Sequence, residues 1–176
     1  MKPRGFTLLE TLVVVFIVGI IASVVLPQFT PSNSYKLKTA SNELANALRF
    51  ARVEAIRTAT PHGVDYTDAS KLLQVYRLDT TSTHQYDVYH PVDKKLLWLD
   101  YSTTGDQAPV QLDSVTLQYG GNATNRIYIS FDEYGTPRFL NGTLYDMLDN
   151  ATIILSDAGQ TSTITVSPMT GRVTVL

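Results

Sequence analysis

The sequence predicts an α+β fold: a long N-terminal helix packed on a C-terminal antiparallel β-sheet or sandwich. Three observations predict it. Residues 11–30 carry no charge, in a chain whose Asp, Glu, Lys and Arg make up 17%. Residues 35–58 repeat apolar side chains at helical spacing. From about Thr60 onward the pattern changes to period two, with turn residues between short runs. The 176 residues suit one modest domain plus an appendage. The absence of cysteine excludes disulfides and thiolate metal sites. A net charge of −2 offers no large positive field to attract nucleic acid.

The first element is the apolar run of residues 6–26, mostly Leu, Val, Ile and Phe. At helical rise it spans roughly 31 Å, about one hydrocarbon core. A soluble helix rarely stays apolar on every face, whereas a membrane span must. Thr11, Gly19 and Ser23 are small enough to be tolerated there. A cleaved secretory signal is one reading of the run, but Val25-Leu26-Pro27-Gln28-Phe29 makes a poor cleavage site. A simple uncleaved anchor is another, and it leaves Glu10 unexplained. A carboxylate inside such a run costs about 2.5–3.5 kcal/mol on insertion scales. No Lys or Arg lies within a turn or two on the membrane side, so a partner from outside the chain is the economical answer. Lys2 and Arg4 before the run balance Lys36 and Lys38 after it, so charge alone does not orient the span.

Pro31-Ser32-Asn33-Ser34 reads as a break with capping residues. In the helix that follows, Leu37, Ala40, Leu44, Ala47, Leu48, Ala51 and Ala55 form one stripe about 100° wide, suited to packing on the β-domain. Asn42, Asn46, Arg49 and Arg57 lie mostly opposite. Phe50 and Val53 are expected on the far face. They are either scattered surface apolars, which are common, or contacts to a neighbouring subunit, and the N-terminal signal described below tips the choice to the second.

Strands are expected at residues 72–78, 85–90, 96–101, 115–119, 127–131, 152–156, 164–166 and 173–175. Turn signals separate them, among them Thr104-Gly105-Asp106, Tyr134-Gly135-Thr136-Pro137, Asp157-Ala158-Gly159 and Thr170-Gly171. Many short strands at this spacing suggest a small antiparallel sandwich.

No pattern of catalysis is present, and no enzyme activity, cofactor or metal is expected. His62, His84 and His90 lack ligand spacing, and no nucleophile elbow or phosphate loop occurs. The close pairs Asp146/Asp149 and Asp132/Glu133 are read as turn residues rather than acid–base or calcium groups.

Arg4-Gly5-Phe6-Thr7-Leu8-Leu9-Glu10 before an unbroken apolar run resembles the signal of type IV prepilins and type II secretion pseudopilins. The resemblance implies cleavage by a prepilin peptidase after Gly5, N-methylation of the new terminus Phe6, and pairing of Glu10 with the terminal amine of a neighbouring subunit. Pro27 falls where that family usually carries a helix proline. Leu48, Ala51, Arg52, Glu54 and Ala55 are similar to the helix pattern of the pseudopilin H and FimT-like branch. Phe131-Asp132-Glu133-Tyr134-Gly135 and Ile164-Thr165-Val166-Ser167-Pro168-Met169-Thr170-Gly171-Arg172-Val173 resemble its closing hairpin.

The chain is thereby expected to divide into a leader (1–5), a transmembrane and filament-core helix (6–27), its amphipathic continuation (28–59) and a periplasmic β-rich domain (60–176). The implied location is a bacterial inner membrane, crossed once, with the N-terminus cytoplasmic. The implied partners are other pseudopilins or pilins and the prepilin peptidase/methyltransferase. FimT-like pilins bind DNA through Gly-Arg-x-Arg; here Gly171-Arg172-Val173-Thr174 keeps the first arginine only. Cleavage would also remove Lys2 and Arg4 from 14 basic residues facing 16 acidic ones. Nucleic acid is therefore the minor reading, with Arg172, in a patch with Arg126 and Arg138, its candidate contact.

Overall fold

The computed structural model describes residues 7–25, 33–79, 83–92, 94–120, 128–141 and 144–176. The chain forms two compact units, Met1–Ser32 and Asn33–Leu176. The first contains helix α1 (Leu8–Val25). Among the described residues no helix is long and apolar enough to cross a membrane. The 18 residues of α1 rise about 27 Å, short of a hydrocarbon core of roughly 30 Å. The expectation of a transmembrane first half is thus not supported by the described helix. The apolar run from which that span was read extends to residues outside the described ones, Phe6 and Pro27 among the expected landmarks.

The second unit begins with helix α2 (Asn33–Thr58). Ten strands follow: β1 (His62–Thr67), β2 (Leu72–Leu78), β3 (His84–Gln85), β4 (Trp98–Asp100), β5 (Gln111–Tyr119), β6 (Tyr128–Phe131), β7 (Arg138–Asn141), β8 (Leu144–Asp157), β9 (Gln160–Val166) and β10 (Val173–Val175). One sheet has the order β3-β2-β1-β6, with β4 also on β2. The other runs β10-β9-β8-β5, with β7 also on β8. Every pairing between these strands is antiparallel.

The stripe read from the sequence is the buried face of α2. Leu37, Ala40, Leu44, Ala47, Leu48, Ala51 and Ala55 are all buried, joined by Ala45 and Ser41. Alanines at half of these positions let the helix axis approach the strands closely, while Leu44 and Leu48 fill the space between. Burying each leucine contributes about 1.5–3 kcal/mol. Ser41 does not spoil the face, because its hydroxyl donates to the Leu37 carbonyl at 2.7 Å. The helix packs on β1, β9, β10 and β8. From the sheets, Val64, Leu73, Val75, Ile129, Phe131, Ile153, Leu155, Ile164 and Val166 complete the core. The alternating burial of Ile153 and Leu155 and of Ile164 and Val166 is the period-two pattern in its expected place.

Three departures have local causes. Strand β1 (His-Gly-Val-Asp-Tyr-Thr) carries Gly63 and Asp65, types depleted in strands, and is not among the expected strands. Gly63 is required there because a Cβ would run into the Ile129 carbonyl and the Tyr76 ring. Strand β8 has 14 residues and takes in Asp146 and Asp149, so these aspartates are strand residues rather than turn residues. Their polarity is accommodated at β8's outer portion, where a register shift opposite Gln118 and Tyr119 interrupts the ladder. The strand expected at 85–90 shrinks to His84–Gln85 and one isolated bridge, Tyr89 to Leu96.

Candidate assembly site

Helix α1 starts with Thr7 as its cap. The Glu10 amide lies 3.3 Å from Thr7 Oγ1 and 3.1 Å from the Thr7 carbonyl oxygen. Thr7-Leu8-Leu9-Glu10 has the spacing of a capping box, which places Glu10 in the first helical turn. A carboxylate there is favoured by the helix dipole by about 0.3–1 kcal/mol. Sequence reasoning treats Glu10 only as a stranded charge; the Thr-x-x-Glu spacing is the signal available for this second role. The remaining polar side chains of the helix are satisfied within it. Thr11 Oγ1 donates to the Leu8 carbonyl at 2.9 Å, and Ser23 Oγ to that of Ile20 at 2.7 Å. Glu10 is therefore the one group of α1 that calls for a charged partner. The surface around it is apolar: Leu8, Leu9, Leu12, Val15, Phe16 and Ile17 are all exposed. A contiguous apolar surface of this kind needs cover from lipid or protein. Gly5 and Phe6, the expected cleavage and methylation residues, lie outside the described residues.

On α2 the two expected subunit contacts separate. Val53 is exposed, 56% of its surface remaining accessible. Phe50 is half-buried and packs against the core, so it does not project on the far face. Helical arithmetic explains this. At 100° per residue Phe50 falls 60° from Ala47, on the margin of the buried stripe, whereas Val53 lies nearly opposite its centre. Phe50, Leu97, Leu99 and Pro91 line one shallow cleft.

The segments that carried the branch resemblance meet at one place. Arg52 Nε donates to the Gly135 carbonyl at 3.0 Å. Gly135 (φ 76°) and Gly171 (φ 62°) both adopt the left-handed conformation. A Cβ on Gly171 would lie 2.5 Å from the Gly135 carbonyl oxygen and 3.0 Å from Arg52 Nε. The turn before Gly135 is tied by Asp132, whose Oδ1 accepts from the amides of Tyr134 (3.0 Å) and Thr136 (2.8 Å). Arg49 Nη2, one turn earlier on α2, donates to the Val173 carbonyl at 3.1 Å. The helix, the 132–136 turn and the 167–172 turn are thus clasped together through arginines and backbone carbonyls.

Of the candidate nucleic-acid patch, two arginines fall among the described residues. Arg138 Nε lies 3.0 Å from Asp132 Oδ2, an ion pair whose angle falls short of a hydrogen bond. Arg126 lies outside the described residues, and Arg172 is exposed on the 167–172 turn. The histidines are scattered. His62 is buried with Nδ1 2.7 Å from the Thr60 carbonyl oxygen, and burial pushes its imidazole below the ordinary value. His84 stacks on Tyr76 with ring centroids 3.9 Å apart, and its Nδ1 is 3.6 Å from Asp65 Oδ2. Tyr86 donates to the same Asp65 oxygen at 2.6 Å. Burial works against the charge of Asp65, but His84 and Tyr86 outweigh it and hold this carboxyl below its usual range. Among the described residues no group of three or more His, Asp or Glu side chains could hold a metal ion.

A family model of the type II transport protein GspH matches residues 40–171. The chain belongs to the GspH family. A model of the prokaryotic N-terminal methylation motif matches residues 1–26 of this GspH-family chain. A curated relative, the pilin-like protein PilA1 of Thermus thermophilus, is 28% identical over 168 residues, covering 95% of each chain. Among solved structures, the minor pseudopilin EpsH of the Vibrio cholerae type 2 secretion system superposes with a TM-score of 0.53 at 16% identity. The match covers 80% of the GspH-family chain and 96% of EpsH. The type IV minor pilin FimU of Pseudomonas aeruginosa gives a TM-score of 0.46 at 16% identity, over 80% and 92% of the two chains. The EpsH likeness establishes the pseudopilin fold for the GspH-family chain, a helix on antiparallel sheets as the sequence predicted.

Proposed function

We propose that this chain is a minor pseudopilin of a type II protein secretion system. It is held in the inner membrane by the apolar run around α1, with the β-domain on the periplasmic side. It is cleaved after Gly5 and methylated at Phe6. It then enters a short filament whose register is set by Glu10 against the free amine of an adjacent subunit. The observation that carries this reading is Glu10 itself, a lone carboxylate in the first turn of a helix apolar on every side, within a match to the N-terminal methylation motif. An unpaired charge in that setting is relieved by a cation that no other residue of α1 supplies. Membership in the GspH family favours secretion. The alternative, a minor pilin that primes a type IV pilus, is favoured by the pilin-like Thermus relative.

Three measurements test the reading. Mass spectrometry of the membrane-extracted chain should show an N-methylated Phe6 terminus; an intact Met1 start would overturn the proposal. Glu10→Ala should leave that processing intact and reduce incorporation into sheared filaments at least tenfold. Deleting the gene should then abolish exoprotein release, where loss of surface pili with normal secretion would favour the pilus alternative.

A further inference from the structure

The described arginines of the second unit divide into two sets. Arg57, Arg77 and Arg138 are each paired with a carboxylate, namely Glu54, Asp87 and Asp132. Arg49, Arg52 and Arg172 have no acidic partner among the described residues. The hydrogen bonds of Arg49 and Arg52 go to the neutral oxygens of Asn46, Val173 and Gly135. These three arginines also come together. Arg49 and Arg52 are a turn apart on α2, and Arg52 lies across Gly171, the residue before Arg172. Arg49 bonds the Val173 carbonyl and Arg52 lies against Gly171, so a chain with an excess of acidic side chains brings two arginines without a carboxylate partner to the backbone on either side of a third, Arg172.

The surroundings of the cluster are apolar and exposed. Val53 (56% exposed) and Ile56 (48%) occupy the same crest of α2 as Arg49. Tyr134 (76%) and Met169 (72%) stand on the two turns clasped by Arg52. Ile56 is fixed there by close approach to Gly135. Aromatic, Met and Arg side chains gathered around apolar surface are the composition of a protein interface core. A phosphate-backbone site is more polar and depends on basic charge over a wider area, and this chain has net negative charge.

We infer that Arg49, Arg52 and Arg172, with Val53, Ile56, Tyr134 and Met169, form a docking surface for a carboxylate-bearing face of a second, different pilin-like subunit. The guanidinium forks pair with Asp or Glu of the partner around an apolar centre. The inference rests on the filament reading and names the β-domain surface through which one partner is chosen.

The test uses the full-length chain in detergent, immobilised and exposed in turn to each pilin-like subunit purified from the same host. At least one subunit is expected to bind. Arg172→Glu and Arg49→Glu should each weaken it at least tenfold, as should raising NaCl from 0.1 to about 0.5 M, which shortens the screening length from roughly 10 Å. Val53→Glu should weaken binding by removing the apolar centre, and Arg172→Lys, which keeps the charge and loses the fork, should fall between the parent and Arg172→Glu. Matching thermal melts establish that the variants are folded. The inference is overturned if neither charge reversal changes binding by more than twofold. It is equally overturned if the surface captures only a DNA duplex or only a second copy of this chain. If Glu10→Ala blocks filament entry while Arg172→Glu does not, the docking surface fails and the filament reading stands. If the parent chain is never processed or incorporated, the filament reading fails.

Discussion

Gly171→Ala should be strongly destabilising, and Gly159→Ala provides its internal control. Both glycines have positive φ, 62° and 81°. An alanine in that region costs about 1–2 kcal/mol in backbone strain, partly offset by roughly 0.4–1 kcal/mol from a stiffer unfolded chain. At Gly159 nothing lies within 4 Å of the added Cβ, so the net cost stays near 1 kcal/mol or below. At Gly171 the same methyl meets the Gly135 carbonyl oxygen at 2.5 Å and Arg52 at 3.0 Å. The first obstacle is backbone and cannot swing away. Relief requires parting the two turns, which strains local packing by about 1–3 kcal/mol and threatens the Arg52 to Gly135 hydrogen bond. The expected total is about 3–4 kcal/mol. At 2–4 °C per kcal/mol for a unit of this size, the melting temperature should fall by roughly 6–15 °C. Urea titration followed by fluorescence of the single tryptophan, Trp98, together with circular dichroism, measures both variants in the full-length chain. A Gly171→Ala variant within 0.5 kcal/mol of Gly159→Ala would refute the clasp.

Leu48→Ala should cost about 2–5 kcal/mol, because Leu48 is fully buried under α2 and its neighbours there are alanines that cannot collapse into the space; a urea midpoint unchanged from the parent would contradict this packing. His62 should make the fold sensitive to mild acid. Its folded pKa is depressed by burial, so the unfolded chain binds the proton more readily. The stability it contributes is complete above the ordinary histidine value of 6.5 and is lost as pH falls through the lower folded value. His62→Gln should flatten the stability profile below pH 6.5, and an unaltered slope would locate the effect elsewhere. Asp65 acts with the same sign at lower pH, its contribution being complete above the ordinary aspartate value of 3.8 and lost as pH falls below it. Asp65→Asn should therefore reduce the acid sensitivity of unfolding below pH 3.8, read from urea midpoints between about pH 2 and pH 5.

The helical half of the fold was legible because one physical signal dominates it. Every residue of the apolar stripe from Leu37 to Ala55 is buried, since a helix beside a sheet has a single face to hide. Phe50 was misplaced because its angle falls on the stripe's margin, where tertiary neighbours such as Leu97 decide burial. The strands were less legible. Strand β1 holds Gly63 for want of space under Tyr76 and Asp65 for its Tyr86 contact, and between these two strand-poor residues Val64 and Tyr66 leave too short an apolar signal to be recognised. Strand β8 was recognised only in its regular middle, because Asp146 and Asp149 resemble turn residues when read one at a time. Of the candidate assembly residues, the place of Glu10 in an apolar helix and the exposure of Val53 could be read directly. The uncompensated arginines could not, because a sequence does not say which cations have partners.

The residues on which the branch resemblance rests turn out to be the residues of the clasp. Arg52 belongs to the helix pattern, Gly135 to the first closing motif and Gly171 to the second, and the three are joined by one hydrogen bond and two close approaches. Such residues hold the helix to the closing turns in any machine that uses this subunit plan. They identify the fold, and they are silent on whether the filament pushes cargo or primes a fibre. Information of that second kind has to sit where internal packing imposes no demand, on side chains free to vary with the partner. Val53 and Met169 are such positions, exposed on the crest of α2 and on the 167–172 turn, with Arg172 beside them. Exchanging these three residues with those of a pilus subunit should therefore redirect incorporation without moving the melting temperature, whereas Gly171→Ala should lower stability and leave partner choice unchanged. A swap that altered stability and partner choice together would mean that clasp and docking surface cannot be separated.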